Sequence, residues 1–342
     1  MRTQELATGA TTTALTFVLL GLAGCSTEDG GDHPPSTSGG SGLTTPSTTG
    51  AADEWTLGLD SQPTRAAVVD DRVFVSTAGG TRFPPQVVAI DPATGAAVEK
   101  RTATGQPFDL LVAPDGRLWS AGDRHPDQAG GAGINVYDPR SLVAVAHADL
   151  PGAAYSLALV GDEIWVGSDG AIFGLDALTL ELLRTVQIGG PAYQLVALPS
   201  ADGVIAVEGD RLELLGLDGV TTGSQAVTAD GSVVTAATSA ALFVRVPVDA
   251  DSTLLTFDPG LTAPGRPVGV DTDSSGGGLL ATAAGDVILV DDRRDEVLCL
   301  PGGVAPAVDL PADDLVGVLE ELPDGRVLFA TSSGVAARVI TC

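Results

Sequence analysis

Side chains that commonly carry out enzyme chemistry are sparse in this chain of 342 residues. A nucleophilic triad needs a histidine close to a serine or cysteine, and the sequence has no Gly-x-Ser-x-Gly nucleophile elbow. His33 lies in a polar, low-complexity stretch and is expected to be solvated. His147 lies in the strand-like run Val145–Asp149 and is expected at the surface of a strand. These observations favour a protein without a nucleophilic active site.

Metal-binding patterns are equally weak. Asp123, His125 and Asp127 occupy one long loop and could bind a cation, although their spacing matches no calcium-loop template and a solvated insertion is the alternative. The sequence has no Cys-x-x-Cys or His-x-x-x-His pair that would indicate zinc. We therefore predict no metal and no cofactor.

The composition excludes one class of partner. The formal net charge is −27, with 44 acidic and 17 basic residues. Such a surface repels nucleic-acid backbones and anionic lipid headgroups, so no nucleic-acid partner is expected. Aspartate-rich turns are the simplest explanation of the acidity, and capture of divalent cations is the alternative.

From Trp55 onward, short runs of Val, Ile, Leu and Phe alternate with Gly, Asp and Pro clusters, a pattern that predicts β-strands. We count seven such units. In six of them a predicted third strand ends at or near an aspartate: Asp91, Asp138, Asp176, Asp218, Asp258 and Asp291. The spacings are 47, 38, 42, 40 and 33 residues, close to the roughly 40–50 residues of a propeller blade. The sequence therefore predicts an all-β, seven-bladed β-propeller of four-stranded antiparallel blades, over residues 53–342.

The two ends of the repeat region predict how the ring closes. The last unit, Leu315–Cys342, supplies three strands, whereas Glu54–Leu59 is a strand without a unit of its own. Pairing the two would complete the seventh blade and remove the open edges of the sheet array. A linear β-solenoid, the alternative, would require shorter and more regular rungs than these.

Residues 1–24 are predicted to be a signal peptide, because an apolar run too short to span a membrane precedes a small-residue site. Leu22-Ala23-Gly24-Cys25 resembles the bacterial lipoprotein box, which implies cleavage before Cys25 and its acylation. The implied location is the extracytoplasmic side of the cell envelope, with Ser26 favouring the outer membrane if the cell has one. An ordinary secretory signal is the alternative.

Residues 25–52, rich in Ser, Thr, Gly and Pro, are predicted to be a disordered linker.

Two cysteines remain in the repeat region. Cys299 is expected in the outer strand of unit six, whose second and third strands are read as Gly278–Thr282 and Val287–Val290, and Cys342 is the last residue. Because leftover thiols of an exported protein normally pair, we predict a disulfide between them. Two independent thiols are the alternative.

Two stretches, Gln106–Asp123 and Val88–Val98, resemble YVTN-type and quinoprotein-like propeller repeats, with the pattern Val-Ala-x-x-Pro-Asp-Gly and a later Asp-x-x-Thr. The resemblance covers residues 63–190 best, and the Tyr-Val-Thr-Asn tetrapeptide itself is absent. Some propellers of these kinds are lactonases or quinone-dependent dehydrogenases. The single asparagine, Asn135, argues against the lactonase metal site. Trp119 and Trp165 occupy equivalent strand positions and are expected in the core.

Alignment of the units places a candidate ligand-binding face where the first strands begin, formed by Arg65, Phe108, Asp109, Tyr155, Tyr193 and Gln194. Aromatic rings with polar neighbours suit a protein, peptide or sugar partner, and packing of the rings between blades is the alternative.

The sequence thus favours a lipid-anchored, noncatalytic binding or scaffold module for a protein or envelope component. An enzyme of quinoprotein or lactonase type, and a structural partner in an outer-membrane assembly machine, are the other hypotheses.

Overall fold

The computed structural model describes residues 54–342, apart from residues 70, 81–82, 124–131, 199–202, 230–232, 249–250, 273–277, 292–293, 295, 304–307 and 312–313. Within these residues the chain forms 28 β-strands in seven antiparallel four-stranded sheets, with one 3-10 turn at Pro301–Gly303 and no α-helix. The predicted seven-bladed β-propeller is therefore confirmed. The predicted signal peptide, Cys25, the linker and His125 lie outside the described residues.

The strands follow one another through the blades in chain order. After β1 (Trp55–Gly58), blade 1 contains β2 (Pro63–Val69), β3 (Arg72–Thr77), β4 (Gln86–Ile90) and β5 (Ala97–Thr102). Blade 2 contains β6 (Gln106–Val112), β7 (Leu118–Asp123), β8 (Gly133–Tyr137) and β9 (Ala144–Asp149). Blade 3 contains β10 (Ala154–Val160), β11 (Glu163–Ser168), β12 (Ala171–Asp176) and β13 (Leu182–Gln187). Blade 4 contains β14 (Gln194–Ala197), β15 (Gly203–Val207), β16 (Arg211–Gly216) and β17 (Thr221–Ala226).

The remaining blades have the same order. Blade 5 contains β18 (Val234–Ala237), β19 (Leu242–Val248), β20 (Asp251–Phe257) and β21 (Arg266–Thr272). Blade 6 contains β22 (Leu279–Ala281), β23 (Val287–Asp291), β24 (Glu296–Leu300) and β25 (Val308–Pro311). Blade 7 contains β26 (Leu315–Glu321), β27 (Val327–Thr331) and β28 (Gly334–Arg338), together with β1.

The first strand of every blade contacts the first strands of the two neighbouring blades, so that β2, β6, β10, β14, β18, β22 and β26 form the inner circle of the ring. We call the end at which these inner strands begin the front face, and the end at which they finish the back face. Buried apolar side chains form seven clusters, and each cluster combines residues of two adjacent blades. Each blade interface therefore has its own hydrophobic core. Trp119 and Trp165 lie in two of these cores and are almost fully buried, as predicted.

The ring closes as the sequence predicted. Strand β1 pairs antiparallel with β28, with Trp55 opposite Ala337 and Gly58 opposite Gly334. The Trp55 ring is 2% exposed, and its Nε1 donates a hydrogen bond of 2.7 Å to the Pro92 carbonyl oxygen of blade 1. The N-terminal strand thus completes blade 7 and also fastens it to blade 1.

The prediction for unit six was wrong by one strand. Leu279–Ala281 is the inner strand of blade 6 rather than the second, and Val287–Asp291 is the second strand rather than the third. Cys299 therefore lies in β24, the third strand, not in the outer one. Asp291 follows an apolar run, as the turn aspartates of the other units do, and Val287–Val290 was therefore predicted to be a third strand. The predicted disulfide is present, and its cysteines, Cys299 and Cys342, have Cα atoms 5.5 Å apart.

Aspartates that follow third strands are used within the turns of the back face. Asp91 Oδ1 accepts a hydrogen bond of 2.8 Å from the Ala93 amide, and Asp176 Oδ1 accepts one of 2.7 Å from the Thr179 amide. Hydrogen bonds of this kind lower the pKa of Asp176 below its usual value. No group of three or more His, Cys, Asp or Glu side chains within the described ranges is arranged to hold a metal ion. These carboxylates therefore serve as turn-forming side chains.

Arginines on the back face connect each of three blades to the next. Arg72, Arg117 and Arg326 stand at the start of the second strand in blades 1, 2 and 7, and each donates to carbonyl oxygens in a turn of the following blade. The acceptors are Pro139 and Arg140 for Arg72, Ala177 and Leu178 for Arg117, and Pro92 for Arg326. Charged donors to buried or half-buried carbonyls are among the stronger hydrogen bonds in proteins. These hydrogen bonds therefore connect blades 7, 1, 2 and 3 at the back face.

Candidate functional site

The six residues of the predicted face come together on the front face of blades 1 to 4. Arg65 lies in β2, Phe108 and Asp109 in β6, and Tyr155 in β10, while Tyr193 and Gln194 lie at the start of β14. Their side chains divide into two sets with different surroundings. The polar set bonds to the neighbouring blade, and the aromatic set forms a row.

The polar set occupies one equivalent position on four consecutive inner strands, and we call these residues the belt. Its members are Arg65, Asp109, Ser156 and Gln194, which lie opposite Ser76, Ala121, Gly167 and Val207 of the second strands. Arg65, Asp109 and Gln194 reach the inner strand of the next blade, and Ser156 Oγ donates to the Ala192 carbonyl oxygen just before β14. Sequence alignment alone did not single out Ser156, because a serine in a strand carries no distinctive signal.

The belt bonds are short and specific. Arg65 Nε lies 3.5 Å from Asp109 Oδ1, and Asp109 Oδ2 accepts a hydrogen bond of 2.8 Å from the Leu157 amide. Gln194 Oε1 accepts 2.9 Å from the Thr235 amide, and its Nε2 donates 3.0 Å to the Thr235 carbonyl oxygen. Burial raises the pKa of the Asp109 carboxyl, and the Arg65 charge and the Leu157 amide oppose that rise. Asp109 and Gln194 therefore hold adjacent blades together.

The aromatic set lies one residue before the belt, and in blades 2 and 3 that residue is at a β-bulge. In β2, β6 and β10 the pairing register skips Thr64, Phe108 and Tyr155. Tyr193 holds the same place in blade 4, directly before Gln194. A bulge redirects the side chain of the extra residue and is frequent beside functional sites. The residue directly before the belt thus presents an aromatic ring on three consecutive blades, at a bulge in blades 2 and 3 and just ahead of β14 in blade 4.

We call Phe108, Tyr155 and Tyr193 the aromatic row. The ring centroids of Phe108 and Tyr155 are 5.8 Å apart, and those of Tyr155 and Tyr193 are 5.2 Å apart. These distances and tilts are typical of attractive aromatic pairs. Phe108 and Tyr155 are half-buried, while Tyr193 is 54% exposed. The rings therefore pack between blades and also offer a continuous aromatic surface to solvent.

Carboxylates border the aromatic row. Tyr155 Oη donates a hydrogen bond of 2.9 Å to Asp169 Oδ1, in the exposed turn between β11 and β12. Burial raises the pKa of Tyr155 above its usual value, and the charges of Asp169 and Asp123 raise it further. The phenol consequently stays protonated and keeps donating to Asp169.

Other candidate groups lie elsewhere. His147 is exposed in the outer strand β9, where Nδ1 lies 3.0 Å from Asn135 Oδ1 and Nε2 lies 3.0 Å from Asp149 Oδ1. A cleft of about 280 Å³ lies on the back face, lined by Ala93, Asp324, Arg326 and Val339. Arg326 in this cleft already bonds Asp324 and the Pro92 carbonyl oxygen. Neither place combines a nucleophile with a base.

No helix in the described part of the chain is long and apolar enough to cross a membrane.

Comparison with known proteins identifies the fold. BamB from Moraxella catarrhalis is 16% identical, with a TM-score of 0.55, over 83% of this chain and 90% of that one. Virginiamycin B lyase from Staphylococcus aureus, in a catalytically inactive form with quinupristin, is 13% identical with a TM-score of 0.65, over 84% of this chain and 99% of that one. The β-propeller domain of Cps50 (Swd1) from Myceliophteria thermophila is 12% identical with a TM-score of 0.63, over 83% and 98% of the two chains.

No protein-family model and no curated protein matches the chain. Since a lyase is only one of the proteins that share this fold, the architecture does not assign an activity. What this chain shares with these proteins is the β-propeller fold.

Proposed function

We propose that this chain is an extracytoplasmic lipoprotein, anchored in the membrane through acylated Cys25, whose propeller is a noncatalytic binding module for a protein or envelope component. The observation that carries the proposal is the aromatic row, with Phe108, Tyr155 and Tyr193 directly before the belt residue of three consecutive blades. Aromatic side chains are enriched where proteins bind partners, because they bury much area at little cost in conformational entropy.

The position of the row agrees with this role. Strand β1 runs from the back face to the front face because it is antiparallel to β28, so the linker joins the ring at the back. The row lies at the opposite face, where the inner strands begin. The chain therefore enters the ring at the end opposite the row.

The anchor is tested by metabolic labelling with an alkyne fatty acid. The full chain should incorporate the label and partition into the membrane fraction, and a Cys25→Ser variant should do neither. Unlabelled wild-type chain would contradict the lipoprotein assignment.

The binding role is tested by copurification of the acylated full chain from its own envelope under mild detergent. A specific partner should be lost when Tyr155 and Tyr193 are both replaced by alanine. It should be retained when Leu182 and Leu183, exposed apolar residues of the outer strand β13, are replaced. Equal loss in both double variants would contradict a role of the row. Quinone absorbance or one equivalent of bound metal in the purified protein would instead support the enzyme hypothesis.

A further inference from the structure

We infer that the aromatic row recognises cationic side chains, so that the partner docks through an arginine- or lysine-bearing polypeptide segment. This inference rests on the proposed function and specifies its partner. It combines three observations: adjacent tilted rings with an exposed member, a carboxylate bonded to one of them, and further aspartates in the described part of the front face.

The row offers the geometry that a cation requires. A guanidinium or ammonium group is attracted to the face of an aromatic ring when it lies within about 6 Å of the centroid. The chain already contains such a contact, since the Arg184 guanidinium carbon lies 5.7 Å from the Trp165 ring centre. Tyr193 is 54% exposed and offers an accessible ring at the front face. The hydrogen bond from Tyr155 to Asp169 polarises the phenol and makes its ring more electron-rich.

The negative charges near the row also favour a cationic partner. Described aspartates at the front ends of strands or in front-face connections include Asp123, Asp149, Asp169, Asp210 and Asp314. Asp169 is exposed beside the row, and its carboxylate bonds Tyr155. A cation on the rings would therefore meet a negative group at the edge of its binding surface.

The solvent-accessible cations that the structure describes near the front face are paired within the chain. These cations are Arg65, Lys100, Arg211 and Arg294, and each lies within 4 Å of a carboxylate of the chain. Their charges are compensated locally. The row and its bordering aspartates therefore attract a partner's cation rather than repel it.

The probe for this inference is a short fluorescein-labelled peptide of alternating arginine and glycine, titrated into the full chain in detergent at about 0.15 M salt. Its reference is the same peptide with citrulline in place of arginine, which keeps the shape and removes the charge. The arginine peptide should bind, and the citrulline peptide should bind at least about ten-fold more weakly, since it loses both the cation–π contact and the charge attraction.

Two variants localise the site. Tyr193→Leu keeps an apolar side chain but removes the ring, and it should weaken binding of the arginine peptide about two- to five-fold. Asp169→Asn should weaken it by a similar factor, because it removes a charge and alters the Tyr155 hydrogen bond. Asp162→Asn removes an equal charge from an exposed turn of the back face and should leave affinity unchanged.

Equal affinity for the two peptides would overturn the inference, because the row would then bind by apolar contact alone. Equal losses in Asp169→Asn and Asp162→Asn would overturn it as well, since the attraction would be diffuse. If the envelope partner still depends on Tyr155 and Tyr193 but neither peptide binds, the cationic specificity fails while the proposed function stands. If no partner depends on the row, the proposed function itself fails.

Discussion

The two faces of the ring use the same repeat in different ways. On the back face, aspartates close turns on their own backbone and arginines bond the turn of the next blade, as Asp176 and Arg117 do. On the front face, bulges turn Phe108 and Tyr155 out of the strand ladder and toward one another. The charged residues of the back face are therefore committed to stability, while the aromatic residues of the front face remain available for contact. Substitutions should separate these two roles.

The largest loss of stability is expected at the closure of the ring. Trp55 is 2% exposed, and Trp55→Ala removes its indole group together with the hydrogen bond that the indole donates to the Pro92 carbonyl oxygen. The free energy of unfolding should fall by about 3–5 kcal/mol, as for other buried tryptophans. Chemical denaturation of the variant and wild type measures this, and a loss below about 1 kcal/mol would contradict the role of β1 in closing the ring.

The disulfide comes next. It joins β24 of blade 6 to the end of the chain across 43 residues. Cys342→Ser should lower the free energy of unfolding by about 2–4 kcal/mol, because the unfolded chain regains the freedom of that loop. Reduced wild-type protein should behave like the variant. A stability unchanged by reduction would show that the covalent link adds nothing to the packing of blades 6 and 7.

Between the two faces, Glu320 on β26 should make stability depend on pH. Burial, together with the charges of Glu321 and Asp109, raises the pKa of Glu320 from 4.5 to about 7. The folded state then holds a proton that the unfolded state releases, so this group lowers stability progressively from about pH 4.5 to about pH 7 and fully above that.

Glu320→Gln removes this penalty. It should stabilise the protein by about 2 kcal/mol at about pH 8 and change little at about pH 4, as urea denaturation at both values would measure. Asp162→Asn, which removes an exposed carboxylate, serves as the control. A gain from Glu320→Gln that is the same at both pH values would be inconsistent with the raised pKa.

The arginine contacts of the back face are expected to be worth less. Arg117 donates to the Ala177 and Leu178 carbonyl oxygens, at 3.1 and 2.7 Å. Arg117→Ala should cost about 1–2 kcal/mol, and Arg117→Lys should cost less, because an ammonium group keeps the charge but not the planar fork. Arg101→Ala removes an exposed ion pair with Glu99 and a long, exposed hydrogen bond of 3.4 Å to the Ser141 carbonyl oxygen, and it should cost under about 0.5 kcal/mol. Thermal or urea unfolding of the three variants checks this order.

The smallest effect on stability is expected in the aromatic row. Tyr193 is 54% exposed, so Tyr193→Leu should change the free energy of unfolding by less than about 0.5 kcal/mol. The same variant should weaken partner binding, which would separate binding from stability at this position. A large loss of stability in this variant would instead mean that the row serves mainly to pack the blades.

Much of the architecture was predictable because its signals are local. Turn residues such as Asp91 and Gly95 bond to neighbours only a few positions away in the sequence. The spacing of such turns along the chain therefore indicated the blades. Blade 6 was misread because its inner strand, Leu279–Ala281, is short and its second strand ends on Asp291. An aspartate after an apolar run gives the same sequence pattern in a second strand as in a third strand. Only the pairing between strands distinguishes the two.

The sequence by itself determined that the chain is a ring of seven all-β units, that its first strand completes the last blade, and that aromatic residues recur where inner strands begin. These are consequences of periodicity and turn chemistry, which act over short distances. Only the tertiary structure decided that Asp109 and Gln194 fasten adjacent blades while Phe108, Tyr155 and Tyr193 form a row. The reason is that a bulge shifts one residue relative to the neighbouring strand, and that shift depends on pairing between strands rather than on the residues of either one.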